Sequence, residues 1–187
     1  MPGPSAAALR VVAAVAVLLG TLLGPSMAWA IPFDLSGDDW EGASELVRLA
    51  KAELEAGDPA RALQTARALY QRNPESETAA TILLIALKEK GLRDEAIRTA
   101  QAQLERRPRQ IDVRRVLAEL RAGGGDFEGA AREGEELLGL PRSNAIDVNN
   151  AAWHRMVAGR LDERTLSLAQ RAVDGTGRLE ASTLNTL

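Results

Sequence analysis

Side chains able to do covalent or metal chemistry are scarce in this sequence. Cysteine is absent and histidine occurs once, at His154, which excludes disulfides, thiolate metal sites and a cysteine nucleophile. One imidazole with no second histidine and no patterned carboxylates makes neither a metal site nor a catalytic dyad. Gly123, Gly125 and Gly129 imitate a phosphate loop. They follow a helical pattern, however, whereas the dinucleotide fingerprint needs a strand before it, so a helix–helix turn is the better reading. Arg106, Arg107, Arg109, Arg114 and Arg115 cluster within ten residues and offer charge to an acidic partner. Arginines at a helix end also complement the macrodipole, and Glu105, Asp112 and Glu119 stand close enough to neutralise them. No catalytic residue, metal ligand or cofactor follows from these patterns, which leaves binding as the function to be sought.

The elements that would carry a binding face are helices. The 187 residues are 45% apolar but only 3% aromatic, so a core must come from Ala and Leu at close helix–helix spacing. Ala, Leu, Arg, Glu and Gln dominate, all good helix formers, and β-branched runs of period two are missing from residue 31 onward. A net charge of −3 from 23 basic and 26 acidic residues gives no field suited to nucleic acid, and the shortage of aromatics agrees.

One unit recurs. GDPARALQTARALYQRNP, from Gly57 to Pro74, returns as GLRDEAIRTAQAQLERRP from Gly91 to Pro108, and further copies open at Gly125 and Gly159, each 34 residues after the last. That period, with two helical patterns per unit, predicts an all-α protein: a right-handed α-solenoid of about four antiparallel helix pairs plus a C-terminal helix.

Residues 1–30 carry one charge, Arg10, then an apolar run from Val11 to Leu23 and a small-residue site at Ala28-Trp29-Ala30. This is the pattern of a secretory signal peptide, with Ala28 and Ala30 as the cleavage residues. At about 1.5 Å per residue the run spans roughly 20 Å, short of the ~30 Å hydrocarbon layer, which favours a cleaved signal over the alternative of an uncleaved N-terminal anchor, with no stable membrane span after cleavage. An exported chain without cysteine suits a bacterial envelope; a periplasmic or secreted location is expected.

Residues 31–39 read as a linker, and Asp38 or Asp39 as the cap of a helix near Trp40, which with Phe33 would fold over the first helix. Leu46, Leu49, Ala50 and Leu54 are expected on the buried stripe of that helix. Gly57 ends it, Asp58 caps the next and Pro59 opens it, with Ala62, Leu63, Ala66 and Leu69 buried. Helices follow from Ser76 or Glu77 to Lys90, Arg93 to Arg107, Gln110 to Ala122, Asp126 to Leu138, Pro141 or Ser143 to Ala158, and Leu161 to Val173. After Gly175 and Gly177 a short terminal helix is expected over 179–187. It either caps the array or begins a unit of a longer protein.

Over residues 40–187 the chain resembles the tetratricopeptide repeat family, with repeats at 43–74, 77–108, 111–142 and 145–176. The resemblance rests on the period and on small residues where two helices cross: Ala50, Leu84, Ala118 and Ala152 seven residues before each turn glycine, and Ala62, Ala96 and Ala130 five residues after it. Close crossing needs a short side chain there. The family's large aromatics are missing from the first helices, where Leu46, Ala80, Arg114 and Val148 stand. Arg164 replaces the fourth small residue, and the pattern recovers at Ala169 and Ala172 if one residue is inserted.

The resemblance implies a non-catalytic scaffold that binds a protein or peptide along a concave face lined by the first helix of each pair. Carried over by offset from each turn glycine, that face holds Val47, Thr81, Arg115 and Asn149; Lys51, Ile85, Glu119 and Trp153; and Leu54, Lys88, Ala122 and Met156. Some relatives grip a C-terminal carboxylate, but Val47, Lys51, Ile82, Asp112 and Val116 at the comparable places form no such clamp. Asn149, Trp153 and Met156 share one helical face. Trp153 is either a binding anchor in the groove or core packed against the eighth or ninth helix, the commoner fate of an aromatic. Envelope assembly is the expected setting; the alternative is the helical repeat region of a larger exported protein, an enzyme included, whose functional domain lies outside this chain.

Overall fold

Four glycines punctuate the chain with the same backbone signature. Gly57, Gly91, Gly125 and Gly159 have φ of 70°, 79°, 86° and 82° and are the positive-φ positions among the described residues. At each, the glycine N–H bonds the carbonyl three residues back and the next N–H bonds the carbonyl five residues back, as in Gly57 to Leu54 at 3.0 Å and Asp58 to Glu53 at 2.9 Å. This is the Schellman closure of a helix, and the left-handed residue it requires costs glycine nothing.

The computed structural model describes residues 43–184 of the backbone, and side chains from 45 to 175. The signal peptide, the cleavage residues Ala28 and Ala30, the linker, Phe33 and Trp40 lie outside the described residues. Eight α-helices occur among those described: α1 Ala43–Glu55, α2 Pro59–Arg72, α3 Glu77–Glu89, α4 Arg93–Arg106, α5 Ile111–Gly123, α6 Phe127–Leu138, α7 Ala145–Val157 and α8 Glu163–Leu184. They pack in adjacent pairs, and the fold is all-α. The Asp58 carboxylate accepts from the Arg61 N–H at 3.1 Å, and Ser76 Oγ accepts from the Ala79 N–H at 3.2 Å. The start of α7 falls at Ala145 rather than Pro141 or Ser143. There Asn144 accepts from the N–H groups of Ile146 and Asp147, and Asp147 reaches back to the Asn144 N–H at 2.9 Å, completing a capping box.

The described residues form two compact units divided within α6, one up to Glu133 and one from Gly134. In the first, α1, α3 and α5 stand beside one another, with α2 and α4 packed against them. Its core holds Ala62, Leu63, Ala66 and Leu69 as expected, with Ile82, Leu84, Leu87, Val116, Leu117 and Leu120. The stripe of α1 is rotated from expectation: Val47 and Ala50 are buried while Leu49 is 46% exposed. A polar brace joins the turns. Gln103, 1% exposed, donates through Nε2 to the Pro74 carbonyl and to Gln110 Oε1, and accepts at Oε1 from Tyr70 and Arg106. Every hydrogen-bonding atom of that buried amide is engaged, so its burial carries no orphan penalty.

In the second unit α7 packs on α8 around Val148, Ala151, Ala152, Leu168 and Ala172, with Leu138 and Ala169 alongside. Arg164 points outward and Thr165, 1% exposed, takes the buried place, which is the one-residue insertion expected there. The terminal helix is a correction. α8 runs unbroken from Glu163 to Leu184, past Gly175 and Gly177, so no separate helix begins at 179. Gly175 serves close packing and not a turn: a Cβ added to it would lie 2.9 Å from that of Ala145.

Candidate interaction site

The first unit presents the carried-over positions of α1, α3 and α5. Lys51, Ile85, Lys88, Arg115 and Glu119 are all half-buried. Lys88 Nζ meets Glu119 Oε1 at 2.7 Å and Arg115 meets Asp112 at 2.6 Å, while the Asp112 N–H donates to Glu77 Oε1 at 2.7 Å. Lys88, Glu119, Arg115 and Asp112 are thus committed to one another in two pairs, and a partner would have to break those pairs to use their charges. Two expected contact residues are not available. Thr81 is fully buried, its hydroxyl donating to the Glu77 carbonyl at 2.8 Å, and Val47 belongs to the rotated buried stripe of α1.

Three further members of the arginine cluster are engaged within the unit. Arg114 meets Glu133 at 2.7 Å, Arg107 pairs with Glu75, and Arg106 donates to Tyr70, Gln103 and the Ala102 carbonyl. Of the carboxylates expected to neutralise the cluster, Asp112 does so, on Arg115, whereas Glu119 pairs with Lys88, and Arg114 and Arg107 take Glu133 and Glu75 from other segments instead.

The second unit is different in kind. Within α7, Asp147, Val148, Ala151, Ala152, His154 and Arg155 are buried. Trp153 is 38% exposed, so it is not core, and Asn149 and Met156 are half-buried beside it. Ile146 and Val157, which the sequence reading did not single out, are 49% and 40% exposed, and Asn150 is exposed. Ile146, Asn150, Trp153 and Val157 are spaced i, i+4, i+7 and i+11, one face of a helix. The usual polarity of a surface helix is reversed: all three ionisable side chains point inward, and the outward residues are uncharged and mostly apolar.

Arg155 makes that reversal possible. Its guanidinium, 4% exposed, donates from Nε to Thr165 Oγ1 at 2.9 Å and from Nη2 to Asp162 at 2.6 Å, and pairs with Glu135. Arg160 and Arg164 approach the same Glu135 at 3.8 and 3.6 Å. Asp162 caps α8 and its carboxyl is lowered to about 2, chiefly by the Thr165 N–H, with Arg155 adding to the effect. Arg121 pairs with Asp126 at the preceding turn, and there the Asp126 carboxyl is lowered by the Arg121 hydrogen bond and the Gly129 N–H. The signal for this cluster lies in the series Glu53, Leu87, Arg121 and Arg155, each four residues before a turn glycine. The apolar residue a core would favour is present only in the second.

No group of acidic, histidine or cysteine residues among those described is arranged to hold a metal. No helix in the described part is long and apolar enough to cross a membrane.

Residues 53–120 match the family described as tetratricopeptide repeat, and the chain carries such repeats there. No curated protein matches the sequence. Among solved structures, the crystal structure of MamA aligns with a TM-score of 0.64 at 14% identity, covering 91% of this chain and 89% of that one. MamA 41-end from Desulfovibrio magneticus RS-1 aligns with a TM-score of 0.60 at 17% identity, over 71% of this chain and 74% of that one. A thermophilic TPR protein in Thermus thermophilus gives 0.60 at 17% identity, over 96% and 98%. These likenesses establish the fold.

Proposed function

We propose that this chain is a non-catalytic, exported scaffold that holds a protein partner on the outward face of α7, within a bacterial envelope assembly. The observation that carries the reading is the reversed polarity of α7. Ile146, Trp153 and Val157 face solvent together while Asp147 and Arg155 are buried. Leaving apolar side chains in water while burying ions opposes folding energetics, so the arrangement is best explained by a function of the exposed face. Exposed Trp is a favoured anchor, Met adapts to varied side chains and Asn pairs with polar groups of a partner. Tetratricopeptide repeats in general mediate protein–protein contacts, which supports the class. Export rests on the tripartite segment at residues 1–30, with Ala28 and Ala30 before the cut.

The test is capture from an envelope extract by the mature chain and by its Asn149→Ala, Trp153→Ala double variant, with the N-terminus of the native protein sequenced in parallel. A partner retained by the first and lost by the second, and a mature start at Ile31, are expected. Equal retention by both, with the fold intact, would move the binding face elsewhere.

A further inference from the structure

We propose that the neighbouring turns at residues 72–76 and 105–110 form a second docking edge, where Arg72, Arg106 and Arg109 take the side-chain carboxylates of an acidic protein segment. This edge lies at the C-terminal ends of α2 and α4, within the first unit, and is separate from the α7 face.

The two turns are held side by side by Gln103, whose Nε2 donates to the Pro74 carbonyl at 3.1 Å, and by Gln110, whose Nε2 donates to the Glu75 carbonyl at 3.1 Å. Arg106 is fixed on that frame. Its Nε donates to the Ala102 carbonyl at 3.2 Å, and its Nη2 to the Tyr70 hydroxyl and to Gln103 Oε1, both at 2.9 Å. All three acceptors are neutral, so the guanidinium is oriented without being neutralised, and its Nη1 makes no bond among the described residues. A planar fork whose rotamer is already set loses little freedom on meeting a carboxylate. Arg72 follows Tyr70 by two residues and Arg109 follows Arg106 by three; both are exposed, and neither meets a carboxylate among the described residues.

The charge of the edge does not cancel. Arg72, Arg106, Arg107 and Arg109 stand against Glu75 and Glu105, and Arg107 is the member that pairs, with Glu75. Glu77, at the start of α3, is bound by the Asp112 N–H at 2.7 Å. The negative ends of α2 and α4 are balanced by the positive ends of α3 and α5, which begin at the same two turns, so the helix dipoles leave the surplus standing. Its pattern selects the partner. An anionic bilayer is drawn by clusters of about four to eight basic residues, whereas here carboxylates stand among three uncommitted arginines. A sheet of phosphates would face both signs. Spaced acidic side chains on a polypeptide can meet the arginines and pass Glu75 and Glu105 by, so the complement is a protein segment.

The test uses the full mature chain at low ionic strength with a short Ser/Glu peptide, the same peptide with Gln for Glu, and vesicles containing phosphatidylglycerol. The arginine Nε–H resonances are followed to millimolar peptide, and the vesicles are assayed by co-sedimentation. Saturable shifts of Arg72, Arg106 and Arg109 with the Glu peptide are expected, with binding of the Gln peptide at least about tenfold weaker. Raising the salt to about 1 M, where the Debye length is about 3 Å, should abolish the shifts. Arg72→Gln together with Arg109→Gln removes two exposed charges that hold nothing in the fold and should weaken the Glu peptide roughly tenfold. Arg98→Gln, exposed on α4 away from the turns, should leave it nearly unchanged. Equal binding of the Gln peptide, full binding by the double variant, or no shift with either peptide would overturn the proposal. Tighter association with the vesicles than with the Glu peptide, lost in the double variant, would assign the edge to a lipid surface and overturn it as well. Capture through the α7 face is decided separately, by the Asn149 and Trp153 substitutions.

Discussion

Replacing Arg155 with leucine removes the guanidinium on which the second unit's polar interior converges, and the expected cost can be built from its partners. Removing one member of a fully buried ion pair typically costs about 3–5 kcal/mol, because a charge is stranded away from water. Here the stranded groups are better placed. Asp162 is 55% exposed and Glu135 27% exposed, so both recover part of their hydration, and Glu135 keeps Arg160 and Arg164 at 3.8 and 3.6 Å. Thr165 is buried but its hydroxyl still donates to the Arg160 carbonyl at 2.6 Å. The loss is therefore placed below the fully buried case, at about 1.5–3 kcal/mol. Native-state hydrogen exchange is the suitable assay because it reads local opening. Protection of α7 and α8 amides should fall roughly 10- to 150-fold, at 1.4 kcal/mol per factor of ten, while α2 and α4 amides hold theirs. A change under about twofold in α7 and α8, or an equal fall in α2 and α4, would refute the idea that Arg155 locks these two helices to each other.

Three further outcomes follow from the same geometry. Gln103→Leu should lower stability by about 1–3 kcal/mol in chemical denaturation, since it leaves Tyr70, Gln110 and the Pro74 carbonyl without their buried partner. Gly134→Ala would set a methyl 3.1 Å from the Cα and Cβ of Ala151 and should cost about 1–3 kcal/mol through overpacking, whereas Gly57→Ala meets no atom within 4 Å and should cost about 1–2 kcal/mol through its left-handed backbone alone. The two should differ in kind: a smaller neighbour, Ala151→Gly, removes the Cβ contact but keeps the Cα one, so it relieves part of the first and none of the second. The Asp162 carboxyl sits below its ordinary value, so the stability it contributes is complete above about pH 4 and is lost as pH falls toward 2. Asp162→Asn should flatten the unfolding midpoint across that window, and an unchanged acid slope would count against the capping geometry.

The repeat architecture is legible because its punctuation is chemically specific. A left-handed helix exit is costly for residues with a Cβ, so four glycines 34 residues apart announce four turns, and Asp58 caps where it was expected to. Close helix crossings admit only small side chains, which is why Ala62, Ala96 and Ala130 could be read as buried. Gly175 shows where that logic stops. A glycine needed for contact with Ala145 looks the same in sequence as one needed for a turn, and α8 therefore continues where a break was expected. The site was harder to read than the fold. Offsets from the turn glycines placed Thr81 and Val47 on the binding face, yet both are buried. Ile146 and Val157 escaped notice because exposed apolar residues on a helix resemble core until burial decides between them. Arg155 escaped because a charged residue suggests a surface, and its burial depends on three partners scattered over two other segments.

Trp153 and its neighbours should meet another protein in the native setting. A photo-crosslinking amino acid in place of Trp153, compared with one in place of the exposed Arg98 on α4, tests this inside the cell. Crosslinks to a distinct protein from position 153, and none from position 98, are the predicted result. Crosslinking from position 98 with silence at 153 would contradict the assignment of α7 as the binding face.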